Sequence, residues 1–481
     1  MPPCCGPQSP KKAPNMPQFF ERRIDARLIL SVIACGIMSF SGVVVETAMN
    51  ITFPALMGEF GVDTATVQWV TTGYLLVLTS IMPLSALLKR RFRNKTLFLA
   101  AICCFIAGTM LCAAAPTFAA LIAGRLVQGV GTGLALPLMF NIIIEQAPLE
   151  KMGLMMGIAT LITAIAPAAG PSAGGFIASA LGWRYIFIVL LPLLALSLVM
   201  GAFAIRQVSE TERVGFSFAQ FAALAGGFSC IVFATSGAST DGWLSVRVLG
   251  LLTAAAVLLV AFGVMATRST RPLMHIEVFR NRRFTLSVAY VVLLQMIVLG
   301  LGYLLPYYGQ VVNGQDEFGA GCLLLPGCAL GAALAPMGGR ILDTLGARRP
   351  LLFGAAAQLA AMACFLAFGI GAAPWLVSLM YVLIPISQGF SAANTVTNGL
   401  SYLPEARKAD GNATFNTLQQ LGGAIGTAVA TSVVNTAQMT AGGNLVAGTV
   451  AGTQAAFCVL ASVSVAALCC MLAVFAKRRR A

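Results

Sequence analysis

The sequence predicts an all-helical membrane protein of fourteen spans, with two bundles of six and two extra central spans between them. Three observations carry this. Of 481 residues, 58% are hydrophobic and 10% charged, with a mean hydropathy of +0.87; so few charges cannot clothe a water-soluble globule of this length. Apolar stretches long enough to cross a bilayer as helices, about 20 residues each, recur along the whole chain. A pattern also repeats at an offset of about 254 residues, dividing the chain into related halves.

In chain order the stretches fall at 28–57, 64–88, 96–115, 117–144, 152–180, 183–205, 217–237, 243–267, 284–311, 318–342, 350–370, 374–402, 411–436 and 447–476, here spans one to fourteen. Residues 1–27 precede them, rich in Pro and polar side chains and without an apolar core or cleavage site, and read as a cytosolic tail rather than a signal peptide. Residues 28–207 form the first six-helix bundle. Residues 208–282 are an insert with spans seven and eight and a basic loop, 283–477 form the second bundle, and 478–481 are a basic tail. In the repeat, residues 85–93 fall opposite 339–347, and the starts of spans one to five near 28, 64, 96, 117 and 152 fall on 282, 318, 350, 371 and 406. The insert has no counterpart in it. Within the basic loop, 272–279 reads either as a short helix along the membrane surface or as a solvated linker.

The formal charge of +14 is one-sided. With the N-terminus inside, 27 Lys and Arg fall in the tails and inner loops, Arg184 and Arg247 fall outside, and Arg125 lies within span four. This positive-inside distribution predicts cytoplasmic termini on a multi-pass protein of the bacterial cytoplasmic (inner) membrane. It argues against a nucleic-acid surface. Of thirteen cysteines, eleven lie in spans and Cys4 and Cys5 in the tail, with no metal-ligand spacing, so they read as small hydrophobes and free thiols. His275, the only histidine, is in the basic loop, which leaves no histidine proton relay inside the bundle.

Deep in the spans lie two residues that are normally charged, Glu46 and Arg125. Such a group costs at least ~2.5–3.5 kcal/mol in hydrocarbon, and is kept where it is paired, faces a cavity, or moves ions or protons. At 1.5 Å per residue, both lie roughly 12–17 Å below the outer face. Asn50 and Gln128 follow at helical spacing on the same faces, available to whichever partner is released. Two readings are open. One is a fixed ion pair holding spans one and four together. The other is a carboxyl that alternates between a proton and Arg125 or a substrate, because desolvation favours its neutral form while a guanidinium favours its charged form. At the repeat offset Glu46 maps to Gly300 and Arg125 to Leu379, so proton chemistry is expected in the first half and uncharged substrate contacts in the second.

Several motifs converge on one family. In span five, Gly157, Ala166, Gly170, Pro171, Gly174 and Gly175 follow the spacing of the antiporter motif of the major facilitator superfamily, with Ala166 at one glycine position; small residues admit close helix approach. In span four, Arg125-Leu126-Val127-Gln128-Gly129-Val130-Gly131 resembles that superfamily's motif with a buried arginine. The inner loop from Gly338 to Arg349 resembles its hallmark inter-helix loop, which implies an inner-gate role for Gly339, Arg340, Asp343, Gly346 and Arg348. From about residue 28 to 477 the chain resembles the fourteen-span drug:proton antiporters. Glu46-Thr47-Ala48-Met49-Asn50-Ile51-Thr52-Phe53-Pro54, Arg91-Phe92-Arg93-Asn94-Lys95 and Trp183-Arg184-Tyr185-Ile186-Phe187 look like their lincomycin-resistance branch. Two departures matter. Val45 stands where most relatives carry an aspartate, with Glu46 one residue later; Lys89 and Phe92 stand where the general loop motif has Asp and Gly. A cytoplasmic latch is therefore expected in the second half.

The resemblance implies a major facilitator fold and proton-coupled efflux of amphipathic or cationic drugs by alternating access. It implies no cofactor beyond the proton gradient, and a monomer in the lipid bilayer whose partners are small amphipathic substrates and protons. Trp69, Tyr74, Asn50, Gln128, Tyr303, Gln388 and Asn394 are the candidate cavity residues, suited to flat or amphipathic molecules through stacking and loose hydrogen bonding. The alternative is an exporter or facilitator of one endogenous metabolite. An enzyme is disfavoured, because no paired carboxylates at a membrane face, metal cluster or nucleophile with a base is visible; Glu145 and Glu150, beside Lys151, read as a solvated helix connection.

Overall fold

The computed structural model describes residues 24–476 apart from Asp63, Gln68, 208–210, 212–216, 270–271, 273–274, Asp316 and 442–443. All fourteen apolar stretches are helical. Span one is Ala26–Ile51 continued by Phe53–Phe60, and span two combines Trp69–Ile81 with a 3-10 turn, Met82–Leu84, and Ser85–Arg91. Spans three to six are Asn94–Ala113, Phe118–Gln146, Met152–Leu181 and Arg184–Ala204, and the insert holds Phe218–Asp241 and Val246–Arg268. In the second half, spans nine, eleven, thirteen and fourteen are Arg282–Val311, Arg348–Phe368, Lys408–Thr440 and Leu445–Phe475. Span ten is Leu325–Leu345 preceded by Glu317–Cys322, and span twelve is Pro374–Tyr381 followed by Leu383–Ser401.

Fourteen crossings are expected from the sequence; among the described residues, eleven helices are both long and apolar enough to cross a membrane. Among the described residues, spans two and five enter only as shorter apolar runs, Trp69–Leu84 and Ser172–Leu181. Span thirteen is diluted by Asp410, Asn412, Asn416 and Gln419. The 3-10 turn Ile276–Arg280 follows His275 in the basic loop.

Spans one to six pack on one another, with span one against spans four, five and six, and span three against spans four and six. Spans nine to fourteen pack likewise, with span nine against spans twelve, thirteen and fourteen. Span five is the seam between the halves, lying against span one on its own side and against spans ten and twelve across it. The insert does more than connect. Span seven packs on span eight and against both span two and span thirteen, and Leu84, Leu87, Leu224, Phe228, Phe262, Ala413 and Leu421 form a shared apolar cluster.

Candidate functional site

Span five can serve two neighbours because its glycines leave no side chain in the way. A methyl group at Gly170 would strike Thr47, and one at Gly174 would strike Ala48, both on span one beside Glu46. Toward the end of the molecule that carries the Lys and Arg clusters, the basic side, Gly153 and Gly157 face Gly339 and Ala335 of span ten in the same way. The antiporter-motif residues Gly157, Gly170 and Gly174 are buried and Gly175 is half-buried. The ring of Pro171 lies outside the described residues.

The two halves are tied on the basic side. The Asp343 carboxylate accepts the backbone N–H of Gly153 at 3.0 Å and that of Leu154 at 3.1 Å. Lys151, at the N-cap position of the span-five helix, makes no side-chain cap bond. Asp343 therefore caps that helix from the other half of the protein, placing a negative charge where the helix dipole favours one. Gly339 lets the two backbones meet, and Gly346 ends the span-ten helix with φ of 79°. Arg340 and Arg348 of the same motif are exposed. A second tie is the amide of Asn412 on span thirteen, which donates to Asn141 Oδ1 at 2.8 Å and to the Pro137 carbonyl at 3.2 Å on span four. Between these ties a cavity of about 300 Å³ is lined by Met152, Met156, Asp343, Asn398 and Lys408.

In the first half, the corresponding loop is tied inward instead. Lys89 pairs with Glu145 at 2.9 Å, and Asn94 donates to the same carboxylate at 2.8 Å. Glu145 is thus not a solvated connector; its side chain is 9% exposed.

At mid-depth, Arg125 is fully buried. Its Nε donates to the Val70 carbonyl at 3.0 Å and its Nη1 to Gln128 Oε1 at 3.1 Å, while the guanidinium lies over the Tyr74 ring, 4.2 Å from the centroid. Gln128 is held in turn, donating to Thr109 Oγ1 at 2.8 Å, and Thr109 donates to the Phe105 carbonyl at 2.7 Å. The Tyr74 hydroxyl donates to the carbonyl of Gly42, one turn before Glu46 on span one, at 3.1 Å. Glu46 and Arg125 act on each other electrostatically, yet form no direct bridge. Glu46 Oε2 and Arg125 Nη2 are both buried atoms without a hydrogen-bond partner. Glu46 as a residue is half-buried, while its Oε2 is shut away from solvent.

The candidate cavity residues separate. Tyr74 and Gln128 are fully buried and serve Arg125. Trp69 is 41% exposed and its ring meets Phe233 of span seven, 5.3 Å between centroids, so it faces the insert. Asn394 is buried and donates to the carbonyls of Gly338 and Phe390, tying span twelve to span ten. Tyr303 stacks on Tyr307 at 5.5 Å and 17° and is partly accessible, as is Gln388. The Asn50 side chain lies outside the described residues. Sequence reasoning missed Val70, Thr109 and Asn412; a backbone carbonyl such as that of Val70 leaves no trace in a sequence.

This architecture has close counterparts. The profile of the Major Facilitator Superfamily matches residues 34–427. The chain is 36% identical over 399 residues to Lincomycin resistance protein LmrB of Listeria monocytogenes, covering 83% of this chain and 85% of that protein. It is 29% identical over 428 residues to the Multidrug resistance protein B homolog of Mycobacterium tuberculosis, covering 88% and 79%. In fold it is similar to the crystal structure of the human organic anion transporter MFSD10 (TETRAN), with a TM-score of 0.65 and 14% identity over 93% of this chain and all of that one. The chain belongs to the major facilitator superfamily, in its drug-resistance branch, and is a multi-pass membrane transporter of small molecules.

Proposed function

We propose that this transporter exports amphipathic or cationic drugs across the bacterial cytoplasmic membrane in exchange for protons, with Glu46 as the proton carrier and Arg125 as its counter-charge. The observation that carries the reading is that Arg125 is held by Val70, Gln128 and Tyr74 while Glu46 has an unpartnered oxygen. A fixed ion pair would join them. Instead, the guanidinium has a resting place apart from the carboxyl, so Glu46 can exchange a proton without leaving a buried cation unsolvated. The relatives are named for lincomycin and multidrug resistance, which supports the substrate class. The ties at Asp343 and Asn412 close the basic, cytoplasmic side, and the partly covered Glu46 and Tyr303 suit a crevice open the other way. Exchange of a monocation for one proton moves no net charge, whereas export of a neutral compound draws on about 2.3 kcal/mol per 100 mV.

The test is pH-gradient-driven efflux from proteoliposomes across cationic dyes, biocides and lincosamides. Wild-type protein is expected to concentrate several of these against their gradients, and Glu46→Gln to lose uphill transport. Undiminished uphill transport by Glu46→Gln removes it from the mechanism, and transport of none of the panel favours a single endogenous metabolite.

A further inference from the structure

We propose that His275 and Asp410 form a second proton-binding site, facing the cytosol, which sets how readily the basic side of the transporter opens. This site is separate from the Glu46 pair, and the inference stands whether or not Glu46 carries the transported proton. His275 Nδ1 lies 2.8 Å from Asp410 Oδ2. The Asp410 side chain is 3% exposed and its Oδ1 has no hydrogen-bond partner, while His275 is 26% exposed and open to the aqueous side. A buried carboxylate thus depends on the one side-chain type that gains and loses charge between about pH 5 and 8.

The position of the pair gives that charge a consequence. The loop carrying His275 leaves the insert and is fastened to the start of span thirteen, where Glu277 pairs with Arg407, and to the end of span twelve, where Asn281 donates to the Tyr402 carbonyl at 3.0 Å and Arg283 lies over the Tyr402 ring. Asp410 is in the first turn of that span, two residues before Asn412, whose amide ties span thirteen to span four. Opening the basic side pulls Asn412 from Asn141 and moves the turn that His275 holds.

The charged groups on the surrounding elements leave Asp410 as the carboxylate that answers the histidine. On its own loop are Glu277 and Arg280, on span eight Arg268, on span nine Arg282 and Arg283, at the start of span thirteen Glu405, Arg407 and Lys408, and on the two spans of the first half packed against span thirteen Lys89, Arg90 and Arg91 of span two and Glu145 of span four, the last paired with Lys89. Of the acids, Glu277 is engaged by Arg407 and Glu405 by Lys408. When neutral, His275 can donate a hydrogen bond to the Asp410 carboxylate; when protonated it sets a positive charge beside that carboxylate as well, which strengthens the contact. Acidification of the cytosol then tightens the staple and holds the basic side closed. In a proton-importing exchanger, that slows the cycle as protons accumulate.

The experiment uses the full chain in lipid nanodiscs, spin-labelled on the exposed basic ends of spans five and ten by Glu150→Cys and Thr344→Cys. Distances between the labels are measured across about pH 5.5 to 8, the histidine range. Wild-type protein is expected to shift its closed-to-open ratio about twofold to fivefold toward closed on acidification, the size of a part-exposed ion pair. His275→Asn and His275→Gln are expected to abolish the shift, and His275→Arg to stay closed at every pH. In Glu46→Gln the shift is expected to persist. An unchanged shift in His275→Asn, no shift in wild-type protein, or loss of the shift in Glu46→Gln overturns the proposal.

Discussion

Asp343 on span ten accepts, through its Oδ1, the backbone N–H of Gly153 at the start of span five, at 3.0 Å. The acceptor is in one half and the donor in the other, so the bond exists only while the basic side is closed. Helix caps are worth ~0.5–2 kcal/mol, so Asp343→Ala is expected to move the closed-to-open ratio roughly twofold to thirtyfold toward open. Accessibility of a cysteine at Ser401, on the wall of the basic-side cavity, to an impermeant thiol reagent reads this directly. Unchanged labelling contradicts the latch.

Gln128 is expected to govern Arg125 rather than touch substrate. With Gln128→Leu, Nη1 loses its acceptor and the guanidinium turns toward the unpartnered Glu46 oxygen, converting a switchable pair into a fixed one. Uphill transport should fall at least tenfold while substrate binding, followed by fluorescence quenching, changes little. Tyr74→Phe keeps the ring under the guanidinium and loses the bond to Gly42, so it should be milder than Tyr74→Leu, which also loses a desolvated cation–π contact worth about 2 kcal/mol.

Close approach at the seam sets a steric prediction. Gly339 sits against the Gly153 carbonyl with no room for a methyl group, so Gly339→Val cannot close the basic side without moving two helices. Overpacking of this kind costs about 1–3 kcal/mol. The variant is expected to fold and to trap the basic side open, seen as lost uphill transport with increased labelling at Ser401. Wild-type transport rates in it contradict this packing.

On the opposite side, Glu59 at the end of span one pairs with Arg184 at 2.7 Å and accepts from Trp183 Nε1 at 2.7 Å. The Arg184 hydrogen bond first, then that of Trp183, hold the Glu59 carboxyl below the usual carboxylate range. A carboxyl lowered in this way stabilises the fold above its unfolded value, near pH 4.3, and that contribution fades as pH falls through the lowered value. Between neutral pH and about pH 5 the contact is therefore expected to stay constant. Both side chains are more than a third exposed, so Glu59→Gln should lower the melting temperature only slightly at neutral pH, and the difference from wild type should vanish in strong acid. A difference that grows on acidification contradicts the sign.

The helices were legible because a chain with so few charges writes its spans as long apolar runs. Glu46 and Arg125 stood out for the same reason, and Asp343 because its loop follows a known pattern. What the sequence concealed was direction. Trp69 and Tyr74 are both aromatic residues in span two, yet Trp69 meets Phe233 of the insert and Tyr74 lies under Arg125. The repeat carries no information on where the insert docks, so the covered face of span two could not be read. Asn394 looked like a cavity residue, but its amide is spent on the carbonyls of Gly338 and Phe390, partners that no side-chain pattern reveals.

If Glu46 carries the exchanged proton, substrate binding must displace it. Substrate added to purified protein in weakly buffered detergent solution, followed with a pH-sensitive dye, tests it most directly. Proton release is expected from wild-type protein and none from Glu46→Gln at substrate concentrations that saturate both. Equal release from the two proteins would contradict it.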